Sequence, residues 1–159
     1  MKRLLIYGLA ALLTACSSID CPVQNIVSVQ YVIRNSDGSD LSLTDSLSIS
    51  SKRHDGSDTL LLNRLVGSSS FSLPISYSHP EDVLLFTFAN DSIQQVDTVW
   101  IKKDDIPHFE SVDCNAAFFH ELTGVRYTHH AIDSLVINNT SVNYDVSTVH
   151  FHLYPKSGD

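Results

Sequence analysis

Two histidines, His150 and His152, flank Phe151 near the end of the chain. Residues two apart on an extended strand project to one side, so this spacing would bring two imidazoles together, as a sheet-borne metal site requires. A third ligand could come from His129, His130 or Asp133. The preferred reading is plainer: a solvent-facing row, with Val149, Phe151 and Leu153 turned inward. Asp37-Gly38-Ser39-Asp40 and Asp55-Gly56-Ser57-Asp58 are identical tetrapeptides, and carboxylates clustered on tight loops suit calcium. Neither copy has the alternating Asp spacing or the bidentate Glu of an EF-hand loop, and Asp-Gly is first of all a hairpin turn. Cys114, with His108 or His120 as its base, could form a thiolate nucleophile, although Asp113 and Asn115 do not complete a cysteine-protease signature.

Other catalytic patterns are absent from the sequence. There is no nucleophile elbow, Walker loop, dinucleotide fingerprint or zinc-protease helix. Glutamate occurs only at Glu81, Glu110 and Glu121, which gives no carboxylate pair distinguishable for glycoside hydrolysis. The expectation is a non-catalytic protein with no cofactor.

The elements that would carry these residues are strands. Val27, Val29, Tyr31 and Ile33 alternate with polar or smaller residues, as do Phe71, Leu73, Ile75 and Tyr77. Such alternation marks half-buried strands. Further strands are expected at residues 47–50, 59–65, 83–88, 98–102, 108–112, 135–138 and 148–154, separated by turn clusters at 35–40, 53–58, 67–70 and 138–143. The pattern predicts an all-β fold: an antiparallel β-sandwich of about seven to nine short strands with immunoglobulin-like architecture. Pro74 places its strand at a sheet edge. Residues 115–122, with Ala116, Ala117, Phe119 and His120, are expected to form a short helical turn.

The N-terminus reads as an address. Lys2 and Arg3 precede about ten apolar residues, too short to span a bilayer of about 30 Å hydrocarbon thickness, so the segment is read as a removable export signal. Leu13-Thr14-Ala15-Cys16 resembles the bacterial lipobox. That resemblance implies acylation of Cys16, cleavage before it and, with Ser17 following, an outer-membrane destination on the periplasmic face or the cell surface. The divisions expected are a signal peptide at 1–15, a lipidated N-terminus and tether at 16–26, one sandwich domain at 27–155 and a tail at 156–159.

With Cys16 assigned to lipid, Cys21 and Cys114 remain, and two thiols in an oxidising compartment suggest a pair. Closing a loop of about 90 residues would constrain the unfolded chain by about 4–5 kcal/mol.

Asp, then Ser or Thr, then an aliphatic residue recurs five times, with hydroxyls at Ser46, Thr59, Ser92, Thr98 and Ser134. The structural reading is a strand-entry signal in which the carboxylate caps a turn. The phrase also resembles the O-glycan acceptor motif of envelope proteins from some Gram-negative gut anaerobes. Together with the lipobox, Asp20-Cys21-Pro22, the run from Ser70 to Tyr77 and the segment from His108 to Cys114, the chain resembles small uncharacterised lipoprotein families of those bacteria.

Composition agrees with one exported domain. The 159 residues carry a net charge of −8, 43% hydrophobic residues and a mean hydropathy of +0.01. This excludes a disordered polyelectrolyte and a polytopic membrane protein, and the acidic pI of about 5.3 disfavours nucleic acid. The expected role is an outer-membrane structural or binding module that is held to the membrane by lipid and contacts an envelope protein or glycan. The alternative is a metal- or small-ligand-binding envelope protein using His150 and His152.

Overall fold

Alternating sequence becomes alternating burial. In β1 (Ser28–Ile33) every second side chain is buried, and the same rhythm runs through β2 (Ser46–Lys52), β4 (Ser70–Pro74) and β5 (Glu81–Ala89). The remaining strands are β3 (Asp58–Leu65), β6 (Gln94–His108), β7 (Ala117–Tyr127), β8 (Ile132–Ile137), β9 (Ser141–Val142) and β10 (Phe151–Pro155). The computed structural model describes residues 26–52, 56–111, 114 and 116–156. Among the described residues there is no helix.

Two sheets form a sandwich-like arrangement. One has the order β4-β1-β10-β8, and the other β3-β2-β5-β6-β7-β9. Their facing sides share one core, to which β1 gives Val29, Tyr31 and Ile33, β5 gives Leu84, Phe86 and Phe88, and β6 gives Val99 and Ile101. At its centre Tyr31 stacks between Phe71 and Phe151, at ring distances of 4.7 and 5.0 Å. Phe86 from the opposite sheet meets Tyr31 and Phe71 at 6.2 and 6.3 Å with tilted rings. Each fully buried ring contributes about 1.5–3 kcal/mol by leaving water.

Three expectations need correction. The sandwich is not wholly antiparallel, because β1 and β10 pair in parallel; these strands lie far apart in sequence, and no local turn dictates their direction. The expected strands at 98–102 and 108–112 are not separate: β6 runs unbroken through Lys103, Asp104 and Asp105 to His108. The expected helical turn at 115–122 is instead the start of β7, because Ala117 to Leu122 pair with β6. The described strands number ten. Pro74 does lie on an edge strand, β4.

The sheets differ in length. At about 3.3 Å per residue the 15 residues of β6 extend about 50 Å, whereas the strands of the four-stranded sheet have only five or six residues. Pairing with β5 ends at Glu81 and Lys102, and beyond that point β6 pairs with β7 alone. This free edge tolerates Pro107, which lacks an amide donor. A bulge adjusts β7 at the same level: Lys102 pairs with Gly124 and Lys103 with Leu122, leaving Thr123 extra. The bulge shifts the alternation by one, so that Leu122 and His120 both turn inward.

Replacing Phe86 by alanine is expected to lower stability by about 3–5 kcal/mol, read as a lower denaturant midpoint at unchanged slope. A loss below about 1 kcal/mol would contradict a shared core centred on this ring.

Candidate functional site

The inward row of β6 changes character along its length. Val99 and Ile101 lie in the core, but Lys103 and Asp105 continue the same row beyond it. The Lys103 side chain is fully buried. Its Nζ donates to the carbonyl of His79 at 2.6 Å and to Asp105 Oδ1 at 3.1 Å. The same oxygen lies 2.7 Å from Nδ1 of His120, the residue paired with Asp105 across the hairpin. That contact is best satisfied with the imidazole proton on Nδ1. Burial foremost holds the His120 pKa below its ordinary 6.5; Lys103 pushes the same way, while the hydrogen bond and charge of Asp105 oppose it.

A second carboxylate, Asp82, acts on His120 through its charge and not through a direct bond. Asp82 accepts the Ser76 amide at 3.0 Å and its hydroxyl at 2.5 Å. Burial, with a smaller contribution from Asp82, raises the Tyr31 phenol far above its usual value. Chemically the cluster neutralises a buried ammonium and ties the β4–β5 connection to the β6–β7 hairpin.

Beyond this cluster the hairpin becomes aromatic. Tyr77 stacks on Phe118 at 4.8 Å, and His108 on Phe119 at 4.2 Å. Tyr144 meets Phe119 edge-on at 5.0 Å. Tyr77, Phe109 and Tyr144 are exposed, and Ile106, which pairs with Phe119 across the hairpin, is 49% exposed.

The opposite end of β6 is closed by Asp97, which is fully buried. Its carboxylate accepts the Thr128 hydroxyl at 2.6 Å and the amides of His130, Ala131 and Ile132 at 2.7–2.8 Å. Burial alone would raise its pKa, but these donors together hold it below 3.8. The carboxylate fixes the β7–β8 connection onto β6.

His150 and His152 do not form a paired face. His150 is completely buried just ahead of β10, while His152 is half-buried. Nδ1 of His150 accepts the Gln30 amide at 3.0 Å, and Nε2 donates to the Ser141 carbonyl at 3.1 Å. Both ring nitrogens are therefore engaged in protein hydrogen bonds. Burial lowers the pKa of each histidine, and Arg34 adds to the effect at His152. His130 faces Asp97, His129 tilts over Tyr127 at 4.7 Å, and Asp133 is exposed. Among the described residues no group of three or more His, Cys, Asp or Glu side chains could hold a metal ion.

Asp37 and Asp40 are used by their own turn. Asp37 accepts the Ser39 hydroxyl at 2.6 Å and amide at 2.9 Å, while Asp40 pairs with Arg34. Gly38 supplies the positive φ of 85° that this turn needs. Asp55 lies outside the described residues and Asp58 opens β3.

Cys16 and Cys21 lie outside the described residues, and Cys114 lies in the β6–β7 connection and carries no free thiol. Of the five phrase hydroxyls, Ser92 is exposed in the β5–β6 turn, while Ser46, Thr59, Thr98 and Ser134 are half-buried on strands. Ser46 and Thr59 do mark strand entries, but Thr98 and Ser134 fall inside theirs.

Sequence reasoning missed the Lys103–Asp105–His120 group because polar residues on an inward row resemble a solvent face. Two signals were present: unbroken alternation from Asp97 to Asp105, and a lysine two residues from an aspartate along it.

The profile of a family of unknown function (DUF6452) matches residues 46–155, well over half of the chain. This span includes Asp97, Lys103, Asp105, Cys114 and His120 and begins after Cys16 and Cys21. No curated protein and no solved structure matches the chain.

Asp105→Ala leaves the Lys103 ammonium buried without its carboxylate and is expected to cost about 3–5 kcal/mol, whereas Lys103→Met should cost much less; denaturant midpoints of the two variants test this order. His120 and His150 both titrate below 6.5 when folded, so the unfolded chain binds protons first as pH falls. Their stabilising contribution is complete above 6.5 and is lost as pH drops through the folded values. His150→Gln should flatten that part of a stability–pH profile, and an unaltered profile would contradict the assignment.

Proposed function

The chain belongs to this family of unknown function, and on that premise we propose that it is a non-catalytic lipoprotein of the outer membrane. Acylated Cys16 anchors it, and its sandwich acts as a structural or binding module of the envelope toward a protein or glycan partner. The observation that carries the reading is the charged-then-apolar segment ending in Leu13-Thr14-Ala15-Cys16. One acyl chain gives only marginal binding; two or more hold a protein on its membrane.

A Cys21–Cys114 bridge belongs to the same proposal. It is supported by the compartment that the signal implies and by the absence of a free thiol at Cys114. That absence also argues against Cys114 as a nucleophile. The non-catalytic reading draws further support from the buried ionisable groups: Asp97, Lys103 and His150 each spend their hydrogen-bonding capacity on the fold.

Labelled palmitate should enter the product of the full chain in a Gram-negative host, and Cys16→Ser should abolish both the label and sedimentation with outer membranes. Unlabelled product, or unchanged fractionation of Cys16→Ser, would overturn the reading. Replacing Cys21 or Cys114 by serine should each lower stability by the same amount, about 4–5 kcal/mol, with no further loss in the double variant. A double variant with an additive loss would exclude the pair.

A further inference from the structure

We propose that the aromatic end of the β6–β7 hairpin docks onto the lipid surface itself, setting Phe109, Tyr77 and Tyr144 at the membrane–water interface. The inference rests on the lipid-anchor reading above and adds an orientation: the sandwich stands on its hairpin tip.

The first observation is where the exposed aromatics lie. Among the described residues the large aromatic side chains that remain exposed are Phe109 (66%), Tyr77 (60%) and Tyr144 (37%). All three belong to this end. Tyr77 stacks on Phe118 of β7, Tyr144 lies edge-on to Phe119 of β7, and Phe109 directly follows β6. Exposed apolar residues elsewhere, such as Leu60, Val66, Ile93 and Val136, are aliphatic. Tyrosine and other amphipathic rings favour the headgroup level, where the ring is shielded and the hydroxyl stays wet.

The second observation is where the chain enters. The Val27 carbonyl accepts the Ile75 amide at 3.4 Å, two residues before Tyr77, and the preceding Ile26 is 60% exposed. The described chain therefore begins at the aromatic end. From Cys16 to Ile26 the contour is at most about 35 Å. If Cys21 is bridged to Cys114, the link is shorter still, because Cys114 lies in the connection between the two hairpin strands.

Charge and rigidity select the kind of surface. The whole chain carries −8, with Asp104 and Glu110 of the tip among its acidic residues, so attraction to anionic lipid is not the driving force. The occupant that fits is a zwitterionic bilayer receiving apolar side chains. Stacking fixes Tyr77 and Tyr144 in advance, and the Lys103–Asp105 pair holds the base of the hairpin, so little ordering is required on contact.

The test uses the full acylated chain in vesicles of phosphatidylethanolamine and phosphatidylcholine in which part of the lipid has brominated acyl chains. Phe109→Trp reports the tip and Ile93→Trp the far end, in the β5–β6 turn, with the Trp100 signal of the parent chain subtracted. Bromolipid should quench the residue at 109 several-fold more than that at 93, with a blue-shifted emission at 109 only. Equal, weak quenching at both positions in protein that floats with the vesicles overturns the docking while leaving the anchor intact. A blue shift at 109 that follows protein concentration without quenching also overturns it, in favour of a second copy on the tip. Protein that carries no acyl group and does not float fails the anchor reading first, and the docking with it.

Discussion

A strand of 15 residues cannot be covered by partners of five or six, and this mismatch governs the rest of the molecule. Where the two sheets overlap, β6 turns Val99 and Ile101 into an apolar core whose centre is the Tyr31–Phe71–Phe151 stack. Where the overlap stops, the inward row of β6 has no second sheet to meet. The β4–β5 connection takes its place, offering the backbone carbonyls of His79 and Pro80. A backbone of carbonyls calls for donors, and Lys103 supplies them. Its charge in turn requires Asp105, and the bulge at Thr123 turns His120 to meet the same carboxylate.

Burial of this lysine contributes more to orientation than to stability. Taking an ammonium out of water costs several kcal/mol, which its carboxylate recovers only in good geometry. An apolar residue could fill the same space at similar stability but could not distinguish one position of the connection from another. Asp97 does the equivalent work at the other end, where four protein donors of the β7–β8 segment converge on one carboxylate. The apolar core is thus bounded at both ends by a charged residue of the same strand. His150 adds a third fixed point between β1 and β9, its two ring nitrogens joining Gln30 to Ser141.

The same features decide what could be read from sequence. Strands with apolar residues on their inward row, β1, β4 and β5, are visible as alternation, and Pro74 announces its edge. Strand β6 is legible only as far as its apolar inward residues extend; past Ile101 the alternation continues in Lys103 and Asp105, which look like surface. Strand β7 is hidden twice, since its bulge breaks the period at Thr123 and its inward residue His120 is polar, while Ala116 and Ala117 imitate a helix. The parallel β1–β10 pairing depends on contacts between the two ends of the domain, which no local pattern encodes. His150 and His152 show the limit of spacing arguments: the chain turns His150 inward just before β10, where two backbone groups claim its ring. The cluster that organises the hairpin could have been suspected from Lys103 and Asp105, but its partners His79 and Ser76 come from a connection that sequence could not place.

The proposed docking of the hairpin tip follows from the overhang. A hairpin that outgrows the core, braced by charge at its base and aromatic at its tip, presents an apolar end beside the point where the chain enters the fold. The proposed docking depends on that overhang being a rigid extension of the sheet. Native-state hydrogen exchange on the full chain measures this most directly. The amides of residues 103, 104, 106 and 119–122 should be protected in the parent chain and lose protection selectively in Asp105→Asn, while those of residues 84–88 in β5 keep theirs. Overhang amides that exchange as freely as an unstructured loop in the parent, or that are indifferent to Asp105→Asn, would contradict the account.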